Sequence, residues 1–120
     1  MTIAFWCVFV AGILPYVPIT FASGRDNNNP RLTKLEGLPA RAIGAHQNAF
    51  EAFPFFAAAV IIAHLIEGPS AIVNGLALLF LVARVLHIVF YLGDRAPLRS
   101  AAWTVGYLLV IAIFIQAAFH

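Results

Sequence analysis

The sequence predicts an all-α integral membrane protein, a single four-helix domain over residues 1–120. Three observations carry this. Hydrophobic residues make up 62% of the chain and charged residues 10%, against the roughly 25% charged residues of an ordinary soluble domain. The mean hydropathy is +0.93. The apolar residues also gather into four stretches, about 2–22, 39–66, 71–92 and 98–119, and a helix needs about 20 such residues to span a bilayer.

The basic residues explain an alkaline pI of 9.1 without nucleic acid. All seven, Arg25, Arg31, Lys34, Arg41, Arg84, Arg95 and Arg99, fall in or near the first and third connections, which share one side of an up-and-down bundle. The other side carries Glu67 and both termini. An excess of Lys and Arg marks cytoplasmic loops, so both termini are expected on the far side. Cys7 is the only cysteine, which excludes an intramolecular disulfide. Its apolar surroundings suit a packed thiol. No basic residue precedes Ile3, so the first apolar run is expected to be a first helix rather than a signal peptide.

The first stretch has no charge, and Pro15 and Pro18 should bend it. The connection that follows, with Gly24 and Asp26 to Pro30, is turn chemistry. The second helix opens at Pro39, a residue suited to the first helical turn. Its first half is polar, with Arg41, His46, Gln47, Asn48 and Glu51, and Pro54 lies just beyond Glu51. His64 near its far end reads as an interfacial histidine. Glu67-Gly68-Pro69-Ser70 is short enough to make the second and third helices antiparallel neighbours. The last helix starts near Pro97, so Arg99 and Ser100 would occupy its first turn. A helix N-terminus with an arginine and a hydroxyl suits a carboxylate or thiolate.

Polar residues inside spanning helices are costly and usually face a bundle interior or a wet cavity. Asn48 and Glu51 are three apart and share one helix face. Arg84, His87 and Tyr91 fall at i, i+3 and i+7, a single stripe on the third helix. At about 1.5 Å per residue, Glu51 and Arg84 reach comparable depths in antiparallel helices. A buried ion pair between them is therefore expected, one that could also do no more than fix register. There is no phosphate-binding glycine motif and no CxxC. His46, His64, His87 and His120 lack metal-site spacing, so no metal is expected.

RAIGAHQNAFEAFPFF resembles the second-helix motif of the MAPEG family, the membrane-associated proteins in eicosanoid and glutathione metabolism. RVLHIVFYLGDRAPLRSAAW resembles that family's third- and fourth-helix signature, and RDNNNPR resembles its bacterial members. The resemblance implies a homotrimer in a bacterial inner membrane, with glutathione as co-substrate between subunits and a site open to the cytoplasm. It implies that Asn48 and Glu51 hold the backbone and amine end of glutathione. His87, Tyr91, Arg99 and Ser100 would hold its carboxylates and thiol, with Arg99 or Ser100 catalytic beside the sulfur. Gln47 and Arg41 fall within the same binding set, Arg84 supports it, and Arg25 or Arg31 could add a contact.

Two departures stand out. Gln47 replaces an arginine common in glutathione-active members, and Trp103 replaces a tyrosine of the prostaglandin synthase branch. With a connection one residue shorter before Arg95, these argue against prostaglandin chemistry. The resemblance points to a transferase or peroxidase that activates the glutathione thiolate against an apolar electrophile or lipid hydroperoxide. A non-catalytic relative with a structural or ligand-binding role is the alternative. A small proton-coupled exporter is disfavoured, because the first helix has no carboxylate.

Overall fold

A computed structural model describes residues 1–22 and 35–120. The first connection, with Arg25, Arg31 and Lys34, lies outside the described residues. Among the described residues there are four helices long and apolar enough to cross a membrane, and no strand. The fold is that of an all-α integral membrane bundle.

Helix α1, Ile3–Ile13, is capped by Thr2, whose hydroxyl accepts from the Phe5 N–H at 3.2 Å. Beyond Ile13 the chain winds more tightly, through 3-10 segments at Leu14–Tyr16 and Pro18–Phe21. Prolines cause this: each removes a backbone donor from the α-helical ladder. The carbonyl of Pro15 is left in need, because the residue three places on is Pro18. His46 supplies the donor, with Nδ1 2.6 Å from the Pro15 oxygen. A carbonyl can only accept, so Nδ1 carries the proton.

Helix α2, Gly37–Glu67, continues through Pro54 and stops at Gly68, whose φ of 72° is a conformation suited to glycine. Helix α3, Ala71–Leu92, is capped by Ser70, which accepts from the Val73 N–H at 3.2 Å. Its C-terminus closes with two reversed hydrogen bonds, Arg95 N–H to Phe90 and Asp94 N–H to Tyr91, at 2.8 and 3.2 Å. Asp94 occupies the left-handed position of that motif at φ 58°, where glycine is usual.

Helix α4, Ala96–Ala118, begins with Arg95 as its N-cap, two residues before the expected start. The Arg99 N–H already donates to the Arg95 carbonyl at 2.9 Å. Arg99 therefore closes the first turn and Ser100 opens the second, and the amides left outside the helical ladder are those of Ala96 and Leu98, Pro97 having none.

The interior is built from small residues. Ala4, Cys7, Ala11, Ala59, Ala63, Ala77 and Ala117 are buried, with Phe56, Val60, Val73, Val110 and Ile113 filling the gaps. Phe56 and Phe80 stack at 4.0 Å between α2 and α3. Many bulky residues, among them Phe9, Leu79, Val82 and Leu108, point outward instead. Small residues let helices approach closely where lipid removes the hydrophobic drive to associate.

Polar ties hold the end of the bundle that carries Thr2 and Glu67. Thr2 Oγ1 and His64 Nε2 lie 2.7 Å apart, and His64 Nδ1 lies 2.7 Å from the Val60 carbonyl. His64 also stacks on Phe5 at 3.8 Å. The sequence marked it only as an interfacial residue, whereas here it joins α2 to α1. Asn74 accepts from the Ala4 N–H at 2.9 Å. Glu67, its side chain 1% exposed, pairs with His120 at 2.8 Å.

Candidate functional site

The opposite end carries the site. Antiparallel packing brings the first half of α2, the last turns of α3 and the first turns of α4 together there. Arg41 marks the junction: its Nε donates to the Leu92 carbonyl at 3.2 Å, one of the carbonyls a helix end leaves unpaired.

Two cavities lie side by side. The more polar one, about 340 Å³, is lined by Asn48, His87, Tyr91, Arg99, Ser100, Trp103 and Thr104. The other, about 380 Å³, is walled mainly by Ala52, Phe55, Phe80, Trp103, Gly106, Tyr107 and Val110, with Asn48, Glu51 and Arg84 as its polar members. Asn48 and Trp103 belong to both. One cavity thus offers hydrogen bonds and positive charge, and its neighbour offers an aromatic and aliphatic wall.

Arg84 is buried, 3% exposed, and Nη2 donates to Asn48 Oδ1 at 2.7 Å. The expected ion pair with Glu51 is not formed within the chain. Glu51 is exposed on the next turn of α2, outside salt-bridge distance, although it lines the same cavity as Arg84. Asn48 takes its place because it sits one helical turn nearer the guanidinium. Arg84 is therefore a buried cation with no carboxylate in pairing range among the described residues.

In the polar cavity the Arg99 guanidinium lies over the Tyr91 ring, 4.4 Å from its centroid. This cation–π contact holds a long, flexible side chain in one place. His87 meets the same ring edge-on at 5.7 Å. It is 2% exposed, and its Nδ1 has no partner among the described residues. The Ser100 carbonyl accepts from the Thr104 hydroxyl at 2.9 Å. Trp103 and Tyr107 stack at 5.2 Å, and Phe55 meets Tyr107 at 5.6 Å, which builds the apolar wall.

Of the residues singled out in the sequence, Asn48, Glu51, Arg84, His87, Tyr91, Arg99 and Ser100 line these two cavities. Gln47 is exposed and lines neither, and Arg41 is committed to the end of α3. Phe55, Phe80, Thr104 and Val110 were not anticipated. Thr104 was within reach, because Arg99, Ser100, Trp103, Thr104 and Tyr107 repeat at helical spacing on one face of α4.

Comparison with known proteins identifies the family. The family model of the MAPEG family matches residues 3–119. Prostaglandin E synthase of Homo sapiens is 34% identical over 110 residues, which cover 83% of this chain and 71% of that protein. Prostaglandin E synthase of Macaca fascicularis is 33% identical over the same span. No solved structure matches. With that match running almost end to end, the chain belongs to the MAPEG family.

Proposed function

We propose that the protein is a glutathione-dependent membrane transferase or peroxidase. The observation that carries this is the pair of adjoining cavities, one polar and cationic, the other apolar, with Asn48 and Trp103 in both. Glutathione is a zwitterion with two carboxylates, one amine and one thiol. Arg84, buried without a carboxylate partner, suits one carboxylate, and unpaired Glu51 suits the amine. A buried charge left without a counter-ion is costly, and such a ligand would relieve Arg84. Tyr91 and His87 line the adjoining polar cavity with Arg99.

Arg99 and Ser100 are the groups proposed to face the sulfur. A thiol ordinarily titrates near about 8.5, and its thiolate is the nucleophile. A fixed guanidinium and a hydroxyl donor favour the charged form. The wall of Phe55, Trp103, Tyr107 and Val110 would hold an apolar electrophile next to it, arriving from the lipid. With an electrophile, a carbon–sulfur bond forms and the leaving group departs or the double bond takes a proton. With a hydroperoxide, the O–O bond is reduced to alcohol and water while two glutathione molecules are oxidised to the disulfide.

The same geometry supports assembly as a homotrimer. Glu51 and Gln47 are exposed on α2, and a carboxylate at membrane depth is expensive unless it faces protein or water. A second copy packed against this face would cover them and could complete the grip on glutathione. The clustering of basic residues supports placing this end toward the cytoplasm, and a bacterial inner membrane is the compartment we propose.

The test is ultraviolet absorbance of the thiolate as glutathione is titrated into detergent-purified protein at neutral pH. A saturable signal, lost in Arg99→Ala, is expected. Folded protein with no signal at millimolar glutathione would overturn the catalytic reading and favour a structural or ligand-binding relative.

A further inference from the structure

Glycine is a poor residue for a helix interior, yet Gly44 stands well inside the 31-residue helix α2. The space it leaves is filled. A Cβ built at Gly44 would overlap the Tyr91 hydroxyl and would lie 2.7 and 3.0 Å from Cζ and Cε1 of the same ring. Real side chains do not tolerate such distances, so any residue larger than glycine there would displace Tyr91. That ring carries Arg99 on its face at 4.4 Å, and both residues line the polar cavity. Gly75 offers a contrast: a Cβ there meets nothing within 4 Å.

We propose that Gly44 is a positioning residue for the polar cavity: its bare backbone seats the phenol end of Tyr91 against α2, and Tyr91 in turn holds the Arg99 guanidinium. The chain of contacts crosses three helices, from α2 through α3 to α4. A methyl at position 44 pushes Tyr91 off its seat, and Arg99 loses the ring beneath it. As far as it concerns glutathione, this rests on the function proposed above; the seating of Tyr91 does not.

Two readouts separate those parts. The chain has three tyrosines, so fluorotyrosine labelling gives three fluorine resonances, and Tyr91→Phe assigns the one that matters. Gly44→Ala is expected to move the Tyr91 resonance and leave those of Tyr16 and Tyr107. Gly75→Ala should move none of them. A displacement on the order of 1 Å can cost a large factor in function. Half-saturation of the thiolate signal is therefore expected to rise about tenfold or more in Gly44→Ala. In a Tyr91→Leu background the added methyl should have little further effect.

If Gly44→Ala fails to fold, recovery of folding in Gly44→Ala/Tyr91→Leu supports the proposal, and failure of the double variant overturns it. An unmoved Tyr91 resonance in folded Gly44→Ala also overturns it. So does an equal loss of glutathione affinity with and without the Tyr91 ring. Absence of any thiolate signal in the unsubstituted protein would sink the functional reading alone, with the fluorine spectra still deciding how Tyr91 is seated.

Discussion

Arg84 donates from Nη2 to Oδ1 of Asn48 across 2.7 Å, and this bond joins α3 to α2 at the boundary between the two cavities. A hydrogen bond to a charged group contributes about 1.5–3 kcal/mol. Asn48→Ala leaves the buried guanidinium without its partner, so a loss of about that size is expected. Arg84→Met removes the charge together with its need for a partner and should cost less. Thermal unfolding in detergent, followed by circular dichroism, checks the order. A larger loss in Arg84→Met would show that the guanidinium itself holds the helices together.

The two cavities should separate in kinetics. Tyr107 lines only the apolar one. Tyr107→Ala removes aromatic area worth about 1.5–3 kcal/mol when fully covered by a ligand. KM for an apolar electrophile is expected to rise roughly tenfold or more, with a smaller rise in half-saturation by glutathione, whose proposed holders Glu51 and Arg84 share that cavity. Equal rises in both constants would mean that the cavities act as one.

His46 donates to the Pro15 carbonyl, and Pro15 is fully buried. His46→Leu keeps an apolar side chain against Tyr16 and Phe50 but leaves that oxygen unpaired. A buried orphan acceptor costs about 1–3 kcal/mol, and unfolding should shift accordingly. A neutral result would mean that another donor or water reaches Pro15.

Asp94 holds a left-handed conformation between α3 and α4. For an L-residue other than glycine this costs up to about 1–2 kcal/mol, with Asp and Asn at the tolerant end. Asp94→Gly is expected to stabilise the protein by about 0.5–1 kcal/mol, and Asp94→Ala to destabilise it. Thermal midpoints of the two variants should fall on opposite sides of the unsubstituted protein.

The spanning helices were legible in the sequence because apolar composition and length act over whole segments. The stripe of Arg84, His87 and Tyr91 was legible for a similar reason: helical periodicity puts them on one face. The partner of Arg84 was not. Asn48 and Glu51 share a face and differ in height by only about 4.5 Å, finer than any depth argument from loop ends. The start of α4 was displaced because Arg95 is not a usual capping side chain, so Pro97 drew the boundary instead. The ties of Thr2 to His64 and Ala4 to Asn74 leave no local pattern, since their partners lie more than sixty residues apart. Gly44 shows why a site can hide: its role is a space, defined only once Tyr91 arrives to fill it.

The tight winding after Ile13 also sets a thickness. The first spanning segment, Ile3–Phe21, has 19 residues, which as α-helix throughout would reach about 28 Å. A 3-10 helix rises about 2.0 Å per residue, and with 11 residues as α-helix the observed winding extends the segment to roughly 32 Å. A typical hydrocarbon core is about 30 Å. Pro15 and Pro18 thus carry the segment from just under that thickness to just over it, without adding a residue. Replacing both with alanine would let the segment rewind as α-helix and draw its end inward by about 4 Å, leaving it the shortest of four helices that share one bilayer.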